Sequence, residues 1–176
     1  MTDVSLRLEQ PADDPAIERL LDLGFSSNRR QRGVYSLRAP GGQAFPVCQV
    51  AVAAGAIVAT LRFWPVALAG YASVYLLGPL SVAAAWRHRG LGATMVEAGL
   101  ALVDRAGIEA VVVSGEPDFY RRFGFIAGAP LGLVLPPPVE PERIMIRSRV
   151  ALPPAPLGPV SRAAAAVRPP AELGAG

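Results

Sequence analysis

The chain has 176 residues, of which 52% are hydrophobic and 18% are charged, and its formal net charge at pH 7 is +3. This composition excludes general disorder and fits one domain with a substantial buried core. The single cysteine, Cys48, excludes an internal disulfide, and the single histidine, His88, leaves no Cys/His set for a metal, so no metal cofactor is expected.

The positive charge is carried by arginine alone, because the chain has no lysine. The excess of positive charge is modest and aromatic residues make up only 7% of the chain, so a nucleic-acid partner is not expected. The first ten residues lack a basic region followed by an apolar core, so no secretory signal is predicted and we expect a cytoplasmic location.

Residues 39–86 contain one charged residue, Arg62, and the two apolar stretches on either side of it are long enough to cross a membrane. Their prolines and glycines interrupt any helix, and their apolar residues alternate as strands do. The segment therefore predicts a heavily buried sheet, and no membrane partner is expected.

A strand and a helix are predicted first. Residues 4–8 alternate between apolar and polar side chains, which is typical of a strand buried on one face. Asp13 and Asp14 precede Pro15, and this order predicts the start of a helix. Residues 26–38 show no periodicity and predict a basic connection.

Three antiparallel strands are predicted next. Residues 47–53 and 57–66 predict a long hairpin that turns at Ala54 and Gly55, and residues 71–82 predict the third strand. Gly78-Pro79 interrupts this third strand and predicts a bulge or a splayed end, because proline removes one donor from the ladder.

The remaining elements alternate between helix and strand. They are a helix over residues 90–106, a central strand over 110–113, a short helix over 117–122, and strands that begin at Phe125 and Arg143. The first of these helices is long enough to connect two parallel strands. The order predicts an α/β (α+β) domain over residues 1–150, followed by a Pro/Ala-rich tail over 151–176 that we expect to be extended, disordered or laid along the domain surface.

One segment, from Leu77 to Leu100, predicts an anion site. A buried strand ends at Val82, a loop with three basic side chains follows, and the run Gly90-Leu91-Gly92-Ala93-Thr94 begins a helix. Free amides and the positive end of a helix dipole attract anions, and glycine lets a phosphate approach those amides.

Of three phosphate-binding patterns, this segment matches one. A Walker loop requires lysine and is excluded, because the chain has none. A dinucleotide fingerprint requires a third glycine where Met95 stands, so it matches poorly. The third pattern, R/Q-x-x-G-x-G/A, is met by the residues from Arg87 to Gly92.

This segment resembles the coenzyme A pyrophosphate loop of the GNAT superfamily of acyl-CoA-dependent N-acyltransferases. The runs LGPLSV, RHRGLG and VVVSGEPDFYRRFGF are similar to its YhbS-like branch, and the resemblance extends in element order from Leu6 to Val150. It implies a mixed, mostly antiparallel twisted sheet of six to seven strands with helices on both faces. It also implies a V-shaped splay between the two central parallel strands.

The resemblance implies two groups of cofactor contacts. The splayed strand would pair its backbone with the pantetheine arm at Leu80, Ser81 and Val82. The loop and the helix start would hold the pyrophosphate, through Arg87, His88, Arg89, Gly90, Leu91, Gly92, Ala93 and Thr94.

The resemblance also implies a general acid. Tyr120 stands at the position of the family's tyrosine that protonates the coenzyme A thiolate, although a plain core aromatic would fit the same pattern. Glu116, just past the central strand, is a candidate general base, followed by Ser114 acting through a water. Many GNAT proteins carry an asparagine after this strand, and this chain has Ser114-Gly115-Glu116 instead.

We therefore expect an N-acetyltransferase, a monomer or homodimer, that uses acetyl-CoA as cosubstrate. Direct attack in a ternary complex would transfer the acetyl group to the primary amine of a small-molecule or peptide acceptor. The alternative is a non-catalytic acyl-CoA-binding or regulatory module on the same fold. Arg29, Arg30 and Arg32 either face solvent or meet the 3′-phosphate of coenzyme A or an acidic acceptor.

Overall fold

The structure, a computed structural model, describes residues 3–25 and 28–164. Its strands are β1 (Val4–Leu8), β2 (Gln49–Ala53), β3 (Ala56–Ala67), β4 (Val74–Val82), β5 (Ala110–Ser114), β6 (Ile126–Ala127), β7 (Leu133–Val134), β8 (Ile144–Ser148), β9 (Gly158–Pro159) and β10 (Ser161–Arg162). Its α-helices are α1 (Asp14–Gly24), α2 (Leu91–Arg105) and α3 (Pro117–Tyr120).

The main sheet has eight strands, and its path runs β1-β2-β3-β4-β5-β8-β6, with β10 added beside β3. All of its neighbouring strands are antiparallel except β4 and β5. The predicted mixed, mostly antiparallel sheet is confirmed. It has one strand more than the six to seven expected, because β10 comes from the Pro-rich segment after residue 150.

Helices α1 and α2 cover opposite faces of the sheet. Ile17 and Leu21 of α1 pack against Val50, whereas α2 packs into the larger core that contains Ala51. Neighbouring strand residues point to opposite faces, so Val50 and Ala51 place the two helices on the two sides. The arrangement with helices on both faces is confirmed.

The two central parallel strands diverge. β4 and β5 pair only where Val74–Leu76 faces Ala110–Val112. The register with β3 shifts at Gly78 and Pro79, and the Trp64 indole donates a 2.7 Å hydrogen bond to the Gly78 carbonyl oxygen. From Leu77 onward β4 is paired with β3 alone among the described strands. The predicted V-shaped splay is confirmed.

The single charge of the apolar run, Arg62, is buried in an ion-pair network. Its guanidinium lies 2.7 Å from the Glu9 carboxylate, 2.8 Å from Asp14 and 3.3 Å from Glu18. Burial opposes the charge, but the hydrogen bonds that the guanidinium donates to Glu9 and Asp14 outweigh this effect and raise the pKa of Arg62. The network therefore fastens α1 and the segment after β1 to the middle of β3.

Part of the Pro-rich segment after residue 150 packs onto the domain. β9 pairs with β7, β10 pairs with β3, and the side chains of Leu157 and Val160 are buried. Sequence places these residues in a tail over 151–176, and the structure places them against the sheet as far as Arg162. Residues 165–176 of that predicted tail lie outside the described residues.

Candidate active site

The splay between β4 and β5 opens a cleft of about 1110 Å³. One wall is the diverging part of β4, residues 76–80, and the opposite wall is the end of β5 with the start of α3, residues 113–120. Parts of residues 25–38 and of residues 137–143 close the remaining sides. Among the predicted site residues, the cleft brings together Leu80, Glu116 and Tyr120.

Tyr120 is the last residue of α3 and is 7% exposed. Its ring lies edge-on to the rings of Phe119 and Phe125, with centroids 5.0 and 5.5 Å away. A Cβ at position 115 would overlap the Tyr120 ring, so Gly115 is required for this packing. Burial raises the pKa of Tyr120 to about 12, against a smaller opposite effect of Arg143. The phenol is therefore protonated at neutral pH.

Glu116 precedes α3 at the mouth of the cleft and is exposed. Its carboxylate pairs with the Arg143 guanidinium. The carbonyl oxygen of Arg143 also accepts a 3.0 Å hydrogen bond from the Gly115 amide. Arg143 therefore stabilises the turn between β5 and α3, which positions Glu116 and Tyr120. The sequence alone did not predict this role of Arg143.

The basic loop between β4 and α2 is folded back on the end of β4. The Arg87 side chain donates a 3.0 Å hydrogen bond from Nε to the Val82 carbonyl oxygen. The Arg89 guanidinium carbon lies 5.2 Å from the centroid of the Trp86 ring. His88 and Gly90 both have positive φ, at 61° and 78°, and this conformation turns the chain sharply into α2.

The amides at the start of α2 are available to a ligand. Among the described residues, the N–H groups of residues 88–93 donate no hydrogen bond. The Thr94 amide and hydroxyl both donate to the Gly90 carbonyl oxygen, at 3.0 and 3.3 Å. Thr94, predicted as a cofactor contact, thus closes the first helical turn, and the free donors lie before it.

Gly92 places this loop beside the splayed strand. A Cβ built at Gly92 would lie 3.7 Å from Val82 Cγ2 and 3.8 Å from Leu80 Cδ2, which is ordinary contact. Leu80 also lines the cleft, so the loop and the cleft adjoin through this residue. Ser81 is buried, and its hydroxyl lies 2.5 Å from where a Cβ at Gly24 would stand, so its side chain faces α1.

Comparison with known proteins identifies the family. A family model for the acetyltransferase (GNAT) domain matches residues 45–127. The Escherichia coli protein YhbS, named an uncharacterized N-acetyltransferase, is 32% identical over 121 residues, which are 68% of this chain and 72% of YhbS. This chain belongs to the GNAT family of N-acetyltransferases.

Solved GNAT structures share the fold. The crystal structure of E. coli YhbS with CoA superposes with a TM-score of 0.77 at 28% identity, covering 93% of this chain and 91% of YhbS. A GNAT acetyltransferase from Brucella melitensis with acetyl-CoA has a TM-score of 0.69 at 28% identity, covering 92% of this chain and 97% of that one. The GNAT resemblance inferred from the loop is confirmed, and the protein is an acetyltransferase.

Coenzyme A places one requirement on the loop before α2 and another on the edge of β4. A pyrophosphate needs several free N–H donors without side chains in the way, and residues 88–93 with the open space at Gly92 meet that need. A pantetheine arm needs a strand edge that pairs with no other strand, and among the described residues Leu77–Val82 of β4 has such an edge on its β5 side. The residues therefore fit coenzyme A.

Three arginines of the basic connection, Arg29, Arg32 and Arg38, contribute to the lining of the cleft. Arg29 is 6% exposed and pairs with Glu18 and Asp22, at 2.6 and 2.9 Å. Arg32 stacks over Phe25 at 5.4 Å. The last arginine of this connection, Arg38, is not predicted as a site residue, and its guanidinium lies beside Gly78. The sequence indicates Arg38 only as the last residue of a basic segment.

Two further findings concern metals and membranes. No group of three or more His, Cys, Asp or Glu residues that could hold a metal occurs in residues 3–25 and 28–164. In the same part of the chain, no helix has the length and apolar character needed to span a bilayer.

Proposed function

We propose that this GNAT protein transfers an acetyl group from acetyl-CoA to a primary amine of a small molecule or peptide by direct attack in a ternary complex. The observation that carries the proposal is the position of Tyr120, a buried, protonated phenol in the cleft opened by the splay of β4. Leu80, on the facing wall, connects this cleft to the free amides at the start of α2.

Binding of the cofactor follows from two backbone features. The amides of residues 88–93 would hold the pyrophosphate at the positive end of α2, where each anionic contact contributes about 0.3–1 kcal/mol, or about 2 kcal/mol when partly buried. The edge of β4 at Leu80, Ser81 and Val82, which no described strand covers on the β5 side, would hydrogen bond to the pantetheine amides as a neighbouring strand would, and Arg87 would release the Val82 carbonyl oxygen. This arrangement directs the thioester into the cleft.

The residues of the cleft would then complete the transfer. Acetyl-CoA supplies a thioester, whose carbonyl carbon accepts the lone pair of the acceptor nitrogen. A backbone amide of the splayed half of β4 would polarise the carbonyl oxygen. As the C–N bond forms and the C–S bond breaks, Tyr120 donates its proton to the departing thiolate. The proton lost by the amine leaves through a general base.

Glu116 is our candidate for that base, followed by Ser114 with a relaying water. Both lie on the cleft wall that carries Tyr120. The pairing of Glu116 with Arg143 keeps the carboxylate at the mouth of the cleft. An amine that enters from solvent would pass this carboxylate before it meets the thioester.

The test combines binding with turnover. Calorimetric titration of the wild-type protein with acetyl-CoA should show one saturable site. A panel of primary amines and short peptides, assayed for free thiol, should show release that needs both the protein and an amine. Binding without thiol release from any amine would support the non-catalytic module instead, and the absence of binding would refute the cofactor assignment.

A further inference from the structure

The described charged side chains that border the cleft are either ion-paired or exposed, with one exception. Arg29 pairs with Glu18 and Asp22, and Arg143 pairs with Glu116. Glu140 is exposed at the rim.

The exception is Arg38. Among the described residues its guanidinium has no ion pair and no hydrogen bond, and its Nε is buried without a partner. The guanidinium stacks over the Tyr35 ring, whose centroid lies 5.3 Å from the guanidinium carbon. Desolvation, together with the nearby cations Arg29, Arg62 and Arg32, lowers the pKa of Arg38 to about 10. A cation in such a position is stabilised when an anion is supplied.

Arg38 also lies where the acceptor has to bind. It lines the main cleft and the smaller cavity beside it. Its Nη2 lies 3.4 Å from where a Cβ at Gly78 would stand, so the guanidinium borders the point at which β4 leaves β5. The phosphates of coenzyme A are expected past Val82, four strand residues or about 13 Å further along β4. The phosphates of coenzyme A would therefore lie too far from Arg38 to pair with it.

We propose that Arg38 binds a carboxylate of the acceptor, so that the preferred substrates are small amines that carry a carboxylate near the amino group. This inference rests on the proposed acetyl transfer in the same cleft. The guanidinium offers a planar fork that matches a carboxylate. Because Arg38 adjoins the splay point, the amine and the carboxylate would be separated by only a few bonds.

The test uses pairs of amines that differ only in the carboxylate, such as glycine with methylamine, 4-aminobutyrate with propylamine, and phenylalanine with phenethylamine. With saturating acetyl-CoA, we expect kcat/KM to be about 10- to 100-fold higher for the carboxylate member of at least one pair, as for one hydrogen-bonded charge. Arg38→Gln should bring that ratio close to one, and Arg38→Lys should restore it in part. The exposed Arg105→Gln variant, which also removes one positive charge, should keep the wild-type ratio.

A ratio near one in the wild-type protein, or a ratio that Arg38→Gln leaves unchanged, would overturn the proposal while leaving acetyl transfer intact. A second measurement needs no turnover. N-acetylglycine should raise the Tm of the CoA-loaded wild-type protein but not that of Arg38→Gln, and N-methylacetamide should raise neither. Equal shifts in both proteins would refute the role of Arg38, whatever the outcome of the thiol assay.

Folding of the variant can be checked in the same experiment. Arg38 is charged and has no carboxylate partner among the described residues, so Arg38→Gln should not lower the Tm. An unchanged or higher Tm with a lost carboxylate preference identifies a binding residue. A large fall in Tm would instead show that Arg38 has a structural role and would count against the proposal.

Discussion

Replacing Gly92 by alanine places one methyl group between the start of α2 and the end of β4, where we expect the pyrophosphate to lie against the amides. The new Cβ would lie 3.7 Å from Val82 Cγ2 and 3.8 Å from Leu80 Cδ2, so the protein itself has room for it. Alanine is also favoured over glycine within helices, by about 0.5–1 kcal/mol. The Gly92→Ala variant should therefore be at least as stable as the wild-type protein.

The pattern R/Q-x-x-G-x-G/A accepts alanine at position 92, so Gly92→Ala should keep its affinity for acetyl-CoA within about threefold. Gly92→Val carries two further methyl groups in front of the amides. These lengthen or break one hydrogen bond to a charged phosphate, and such a bond contributes about 1.5–3 kcal/mol. The dissociation constant of Gly92→Val should then rise about 10- to 100-fold.

Gly99, in the same helix, provides the matched control. A Cβ there would lie 2.8 Å from Leu61 Cδ2 and 3.0 Å from Phe63 Cε2, and both of these side chains are fully buried. Overpacking costs about 1–3 kcal/mol, which exceeds the gain from helix propensity. Gly99→Ala should therefore lower the free energy of unfolding by about 1 kcal/mol, with little effect on acetyl-CoA affinity.

Calorimetric titration with acetyl-CoA and urea unfolding of the three variants separate the two effects. We expect Gly92→Val to lose affinity, Gly92→Ala to keep both affinity and stability, and Gly99→Ala to lose stability alone. Wild-type affinity in Gly92→Val would refute the placement of the pyrophosphate at this loop. A strongly destabilised Gly92→Ala variant would refute the packing argument.

Three other outcomes can be tested. Arg62→Gln leaves the fully buried Glu9 carboxylate without its cation, so it should cost about 3–5 kcal/mol in urea unfolding; a loss below about 1 kcal/mol would contradict this. The Arg147 hydrogen bond lowers the pKa of Asp104, so Asp104→Asn should cost about 1–2 kcal/mol at pH 7. That cost should begin to shrink as the pH falls below about 4, where the carboxylate of the unfolded chain takes up its proton, and should disappear below the lowered pKa of the folded protein; an equal cost at pH 7 and pH 3 would be inconsistent with the ion pair. If Glu116 is the base, Glu116→Gln should lower kcat/KM about 100- to 10,000-fold, and a value close to that of the wild-type protein would exclude that role.

Local patterns were sufficient to predict the elements that carry the cofactor site. The hairpin of β2 and β3 was evident from alternation and from its turn, where Ala54 and Gly55 both have positive φ. Gly78-Pro79 indicated the interruption of β4, and the glycines before α2 indicated a helix start with exposed amides. These features depend on residues close together in sequence, so the sequence alone could reveal them.

The acceptor side of the cleft could not be predicted in the same way. The connection before β2 has no periodicity, and its position depends on distant contacts, such as the ion pair of Arg29 with Glu18 and the hydrogen bond of Arg162 to the Ser36 carbonyl oxygen. Arg29, Arg30 and Arg32 share one interpretation at the level of sequence. The structure separates them, because Arg29 is buried against carboxylates, Arg30 is exposed and Arg32 lies over Phe25. Among the described residues, Arg38 has no carboxylate partner.

The packing of the Pro-rich segment after residue 150 is a second feature that the sequence alone does not predict. Its composition favours an extended tail, but Leu157 and Val160 are buried against the domain. Two apolar side chains within a run of prolines and small residues produce no periodic signal. The surface that accepts them, in the core around Trp64 and Ile146, is formed only when the sheet is complete.

The kcat of Tyr120→Phe, measured with saturating acetyl-CoA and amine, tests the central claim most directly. This substitution removes one hydroxyl and keeps the ring that packs on Gly115 and Phe125. Loss of a general acid should lower kcat about 100- to 10,000-fold, with acetyl-CoA affinity preserved within about threefold. A kcat close to that of the wild-type protein would contradict the account, because the thiolate would then take its proton from another donor.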